Sequence, residues 1–325
     1  MDSLKSIMVV MSPQRRVSEA VHRAAAYAHR TGAELHLFLF DYYGPIDYAQ
    51  SVFGMEVAVR ARSDFLEERM RWLTGVAAGL AEQKLRVNCD VIWAANPCQA
   101  VLGRIAEVQP DLVIKDVNCT DGTNATLDLA ALDRKLLRRC PVPLMLVTPL
   151  SGLLPHRVLA TVDIGIHGDH SGLNDRIAEA AKSFAALSHT EAELISVFSY
   201  VPLPAYGTGY IADSYEIMEN AHKEALSSFA RRQGFGGSHL QRRSAFDAAD
   251  SIAAVVRDRG ADLVVMGSAH HSALDRVLLG TTAEALLRKL SCDVLLVKPG
   301  TSPAQSDMHA VQTEIRVQQP VMLSA

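Results

Sequence analysis

Along the chain, short unbroken apolar runs alternate with longer stretches in which apolar residues recur every three or four positions. The first run, Ile7-Met-Val-Val-Met11, reads as a strand buried on both faces. Ser12-Pro13 predicts the start of a helix that carries Val17, Ala20, Val21, Ala24, Ala25 and Ala28 on one side and ends at Gly32. Leu35 to Phe40 predicts a second strand. The stretch from Asp41 to Phe53 reads as a long loop with Tyr42, Tyr43, Tyr48 and Phe53 around Gly44-Pro45. Those aromatics either pack over the sheet edge, the preferred reading, or line an apolar pocket. A long amphipathic helix follows from about Glu56 to Gln83, then a strand at Arg86 to Trp93 and a helix opened by Asn96-Pro97. Asp111 to Lys115 is a strand, Leu129 to Arg139 a helix, and Pro143 to Thr148 a fifth strand.

The same order then returns. Arg157 to Asp163 matches the opening strand, and Ser171 to Leu187 is a helix with Leu173, Ile177, Ala180, Ala181 and Phe184 on one face. Ala192-Glu-Leu194 echoes Ala33-Glu-Leu35. Asp213 to Gln233 is the long helix again, closed by Gly234-Phe-Gly-Gly237, and Asp247 to Arg259 is the helix after it. Asp262-Leu-Val-Val265 repeats Asp111-Leu-Val-Ile114, and Val297 and Pro299 repeat Val147 and Pro149. A nearly constant offset over all elements means a duplicated domain. Strands alternating with helices make each half α/β with a mainly parallel sheet. The expected domains are residues 1–150 and 151–300, joined by a short linker at Ser151 to Pro155, with 301–325 as a flexible tail whose Val317 to Leu323 has the pattern to dock.

At 325 residues the chain has room for two such domains, and 49% hydrophobic with 21% charged residues suits a globular core. A net charge of −4 gives no reason to expect direct nucleic-acid or anionic-membrane binding. No apolar run has membrane-spanning length, and Met1-Asp2-Ser3-Leu4-Lys5 leads into a strand and not a signal peptide, so a cytoplasmic protein is expected. Five scattered cysteines without a CxxC pair read as reduced packing residues, and no His/Cys spacing points to a metal.

The candidate chemistry lies in Ala261 to Pro299. Asp262 to Met266 is a buried strand ending at Gly267; Gly280 precedes a helix whose Thr281 and Glu284 have capping-box spacing; Val294 to Val297 is the last strand. A glycine before a helix start, with exposed backbone N–H groups and Thr281 and Thr282 hydroxyls, is a place for an anion, phosphate above all. By itself the loop reads first as a capped helix that binds nothing, because most capped helices bind nothing.

The spacing of this loop resembles the universal stress protein signature G-x2-G-x9-G-[S/T], with Gly267 as the first glycine, Gly280-Thr281 as the last pair, and His270 in place of the second glycine. The flanking VVMGS and CDVLLVKP fit the same family, and two halves over about residues 5–300 resemble its tandem, UspE-type members. In the first half, Asp111-Leu-Val-Ile-Lys115 is followed by no second glycine pair, as in that type. The resemblance implies two Rossmann-like universal stress domains, each with a five-stranded sheet flanked by helices, forming an internal pseudo-dimer, with homodimerisation open. It implies a non-catalytic stress-resistance role, including DNA-damaging conditions, and ATP as the candidate ligand, with no cofactor required. By that likeness Asp163 would lie near the adenine and ribose and Val197 would touch the base, while Ser268, Thr281 and Thr282 are hydroxyls within reach of phosphates.

Each of these residues has a plainer reading. Asp163 is equally a turn carboxylate, His270 and His271 read first as solvent-facing loop histidines, and Lys298 reads as surface charge. His270 adds bulk where glycine lets backbone approach a ligand, yet offers a donor or a stacking ring. Ser12 occupies the place of Asp163 in the first half. No catalytic motif is present, neither GxSxG, GxxxxGK[ST] nor HExxH. Two rivals stay open: a nucleotide-hydrolysing enzyme with at least weak ATPase activity, and an apolar-ligand or protein-interaction module that has lost ATP.

Overall fold

The computed structural model describes residues 4–120, 125–165, 172–199, 209–237, 239–244, 247–268, 280–299 and 316–320. It falls into two compact units, one of residues 2–116, 130–147 and 303–325, the other of 117–129 and 148–302. In chain order the elements of the first half are β1 (Ser6–Met11), α1 (Glu19–Thr31), β2 (Glu34–Asp41), α2 (Gly44–Phe53), α3 (Met55–Glu82), β3 (Val87–Trp93), α4 (Pro97–Val108), β4 (Leu112–Asp116), a short hairpin of β5 (Asn118–Cys119) and β6 (Leu127–Asp128), α5 (Ala131–Arg139) and β7 (Leu144–Val147). The second half comprises β8 (Val158–Thr161), α6 (Leu173–Ala186), β9 (Ala192–Ser199), α7 (Gly209–Arg232), β10 (His239–Ser244), α8 (Ala248–Arg259), β11 (Leu263–Gly267), α9 (Thr281–Leu287) and β12 (Asp293–Val297). A last strand, β13, spans Arg316–Pro320.

In the first unit the strands run β3-β2-β1-β4-β7, all parallel, and β13 adds antiparallel to the outer edge of β3 with Val317 opposite Val91. In the second the order is β10-β9-β8-β11-β12, again all parallel. Each half therefore places its third, second, first, fourth and fifth strand side by side, the doubly wound order. The unbroken apolar runs are the central strands, buried because helices cover both faces: Ile7, Met8 and Val9 in β1, Val264 and Val265 in β11, Leu295 and Leu296 in β12 all have no exposure. The repeated aspartate ahead of the fourth strand has a local task in both halves. Asp111 accepts the N–H groups of Lys5 (2.8 Å) and Ser6 (2.9 Å), and Asp262 those of His156 (2.9 Å) and Arg157 (2.9 Å), pinning the start of each first strand. The linker is tied down too: Thr148 N–H donates to Asp293 at 2.8 Å and Asp293 N–H to Ser151 Oγ at 3.1 Å. No described helix is long and apolar enough to cross a membrane.

Three local expectations change. The loop expected over Asp41 to Phe53 contains α2, which starts at Gly44-Pro45 with proline in the first turn and is held to α3 by Arg62 on Asp47 at 2.5 Å. None of its residues is buried, so it has no apolar stripe to read. Tyr42 packs edge-on against Trp93 of β3 and Tyr43 stacks on Phe65, as a sheet-edge role requires, whereas Tyr48 and Phe53 are exposed. The first helix starts at Glu19 and not at Ser12, whose Oγ accepts Gln14 N–H in a turn. Residues 301–325, expected as a flexible tail, contain β13.

Candidate functional site

Open parallel sheets offer a crevice beyond the carboxyl ends of the strands where the order reverses. In the second half that point is between β8 and β11, because the chain goes from β8 to β9 on one side and later places β11 on the other. Val162 N–H donates to Ile195 O at 2.9 Å and Ser268 N–H to Val297 O at 3.1 Å, each carrying the ladder past its strand. Asp163 and Ser268 are thus the residues that open the crevice. Continuing the β8–β9 register, which pairs Thr161 with Ile195, sets Asp163 beside half-buried Val197.

Asp163 is held by a two-way clamp. Its N–H donates to Asn174 Oδ1 (3.1 Å) and its carbonyl accepts from Asn174 Nδ2 (2.7 Å), while its own Oδ1 accepts Gly165 N–H at 3.0 Å. The turn-carboxylate reading is therefore realised in one oxygen, on an exposed residue at the crevice. Ser268 is fully buried, and its Oγ has no hydrogen-bond partner among the described residues. A buried hydroxyl left without a partner is destabilising unless something supplies one.

Gly267 meets a different demand. A Cβ there would lie 2.6 Å from Leu173 Cδ2 and 2.9 Å from Ile177 Cδ1, so the glycine lets α6 approach the end of β11. Gly280 caps α9 with φ −58°, a backbone any residue adopts, and no side chain caps that helix. Thr281 is not the cap residue: Gly280 takes that place, Thr281 and Thr282 are both exposed inside the first turn, and Glu284 pairs with Arg288 at 3.4 Å. His270 and His271 lie outside the described residues. Lys298, read as surface charge, is buried at 4% exposure because it directly continues β12.

One residue beside this crevice escaped the sequence reading. His222 of α7 is buried, with Nε2 3.0 Å from Ser196 Oγ and its ring edge-on to Phe198 at 5.6 Å. Ser196 and Phe198 share one face of β9, so Val197 points to the other. Burial holds the His222 imidazole below its ordinary pKa, against the opposing pull of the Asp163 and Glu219 carboxylates. Serine, histidine and aspartate here do not make a nucleophile, since the Ser196 hydroxyl is buried within the strand. The sequence signal was a polar residue on the apolar stripe that continues to Leu226 and Phe229, both buried. A neutral buried histidine has a pH consequence. The unfolded chain takes up the proton near pH 6.5 and the folded one only below that, so stability is lost as pH falls from about 6.5. His222→Gln is expected to flatten part of that loss between about pH 6.5 and 5, checked by urea midpoints at several pH values; a slope identical to wild type would count against a neutral His222.

The first half differs at the matching positions. Asp116 ends β4 as Gly267 ends β11, and its Oδ1 accepts Ala20 N–H at 2.8 Å. Lys115 Nζ is 2.7 Å from Asp133 Oδ1, where the second half has Met266 and Ala283. The cysteines are all free thiols, and burial pushes that of Cys292 up to about 12, which suits a packing role.

Residues 156–298 match the model of the universal stress protein family. The universal stress protein E homolog of Haemophilus influenzae is 23% identical over 308 residues, 91% of this chain and 97% of its own. Universal stress protein E of Escherichia coli is 22% identical over 306 residues, 91% and 94% of the two chains. Among solved structures, a functionally unknown protein from Pseudomonas aeruginosa aligns with a TM-score of 0.70 at 24% identity, covering 91% of this chain and 93% of that one. A universal stress protein from Archaeoglobus fulgidus aligns with a TM-score of 0.58 at 15% identity, covering 92% and 100%. With the duplicated doubly wound order and the Gly267/Gly280-Thr281 frame, these matches make the chain UspE-like, with residues 156–298 matching the universal stress protein family.

Proposed function

We propose that the second half binds one small anionic ligand, a nucleotide of the ATP type, in the crevice between β8 and β11, and that the protein serves stress resistance through this binding, including under DNA-damaging conditions. The observation that carries the reading is the fully buried Ser268 hydroxyl, without a partner among the described residues, at the reversal of strand order. A phosphate oxygen is an acceptor that would satisfy it. Asp163, clamped by Asn174, is set to accept from ribose hydroxyls, and Val197 offers apolar contact to a base. The Gly280 N–H, with Thr281 and Thr282, is the remaining donor set. No reaction is assigned: the protein is read as a cytoplasmic ligand-responsive module, with homodimerisation as a further expectation.

Native mass spectrometry of the purified chain with ATP and magnesium tests this directly, with one nucleotide per chain expected. Ser268→Ala should weaken the affinity about ten-fold, the value of one hydrogen bond to a charged group. No uptake by wild type rejects the nucleotide, and magnesium-dependent turnover abolished by Asp163→Ala would replace the binding module with the enzyme.

A further inference from the structure

The geometry points to a first half whose ligand position is filled by the chain's own carboxylates, so that the protein carries one anion site and not two. The inference deepens the reading of the second half as the ligand half, but stands on different residues. At the order reversal of the first sheet, between β1 and β4, three charged groups converge. Asp133, 1% exposed on the first turn of α5, accepts Ala130 N–H at 2.8 Å through Oδ2, the donor at that helix start. Its Oδ1 meets Lys115 Nζ at 2.7 Å, and that ammonium also donates to Asp116 O at 2.8 Å. Asp116 directs Oδ1 to the Ala20 N–H, at the start of α1, at 2.8 Å.

An incoming phosphate would look for these same donors: a lysine ammonium and the backbone N–H groups at two helix starts. Each is already taken by a carboxylate oxygen, Asp133 on the ammonium and on the start of α5 and Asp116 on the start of α1, and two carboxylates to one ammonium give the three groups a net negative charge. The second half has none of the three charges, since Met266, Gly267 and Ala283 stand at the corresponding positions. The resident anion of the first half is thus covalent and permanent, which makes this half independent of ligand. It also explains why a glycine loop is dispensable there: no ligand approaches the backbone.

The test converts both carboxylates to their isosteric amides in the full chain, Asp116→Asn/Asp133→Asn. The amide oxygens keep the helix-start contacts and leave Lys115 as the only charge of the three. The probe is inorganic phosphate, read by isothermal titration and by its effect on Tm. The amide variant should bind phosphate about ten-fold more tightly than wild type, as expected for one charge-assisted contact. Adding Lys115→Met should abolish the gain. A folded amide variant with wild-type phosphate affinity overturns the proposal, as does a gain that survives Lys115→Met. If the amide variant folds only in phosphate, the proposal stands. If it folds in no buffer while Lys115→Met/Asp116→Asn/Asp133→Leu folds normally, the freed ammonium found no anion and the proposal fails. ATP uptake by wild type reads out the second half separately.

Discussion

Gly267→Val is expected to destabilise the protein by about 3 kcal/mol, the upper range of overpacking, and to lower Tm by roughly 6–12 °C for a domain of this size. The Cβ alone would lie 2.6 Å from Leu173 Cδ2 and 2.9 Å from both Leu173 Cγ and Ile177 Cδ1, where carbon contacts settle near 3.5–4.0 Å. The two obstacles occupy adjacent turns of α6, so relief requires both side chains to change rotamer or the helix to move. The first half shows the alternative solution. Its strand ends in Asp116, and α1 presents Ala20 and Ala24, both without exposure, on its buried face. A compensated pair, Gly267→Ala with Leu173→Ala, should therefore recover most of the stability that Gly267→Ala loses alone. Denaturation of the single and double variants checks the packing. An ATP titration of the folded double variant then separates two demands on this glycine. Retained affinity assigns it to helix–strand packing; lost affinity in a stable protein assigns it to the ligand's approach. Additive losses in the two single variants would mean that the contact with Leu173 does not set the residue.

The strands and the duplication were legible because both are written in contiguous residues. Val264 and Val265 need no distant partner to declare a buried strand, and Asp262 declares its twin 151 positions earlier at Asp111. The crevice was half legible. Strand order follows from the alternation of elements, so Asp163, Gly267 and Ser268 fall at the reversal without side-chain detail. What stayed hidden depends on pairing across elements. Nothing near Ser196 in sequence predicts that His222, 26 residues on, will take its hydroxyl. Lys115 and Asp133 are separated by a hairpin, and only the fold turns two ordinary charges into a buried pair. Lys298 and α2 failed for opposite reasons. The first is a polar residue that an apolar strand carries inside, the second a helix that buries none of its side chains and so carries no stripe.

Asp90→Ala should cost about 3–5 kcal/mol, the penalty for breaking a buried ion pair from one side. Asp90 of β3 is 2% exposed and pairs with Arg104 of α4, which also pairs with the exposed Glu107 at 2.9 Å. Removing Asp90 strands the guanidinium in the interior with a solvated partner. The same desolvation argument predicts that removing both charges is far milder. Asp90→Leu/Arg104→Met should return to within about 1 kcal/mol of wild type, because well-packed apolar replacements of a buried pair are near neutral or stabilising. Urea denaturation of both singles and the double gives the coupling energy. His36 supplies an independent readout. Burial is the main cause of its lowered pKa, Arg104 adds to the lowering, and Asp90 and Glu34 oppose it. Without Asp90 the imidazole titration, followed by NMR, should move to still lower pH, and in the double variant it should move back up. A single-variant loss below about 1 kcal/mol, with His36 unmoved, would mean that water reaches this pair as it reaches a surface one. If ATP binds in the proposed crevice between β8 and β11, its affinity in the folded variants is expected to equal the wild-type value, because that crevice belongs to the other unit. A change there would make the first half a regulator of the ligand site and not only its self-sufficient neighbour in the chain.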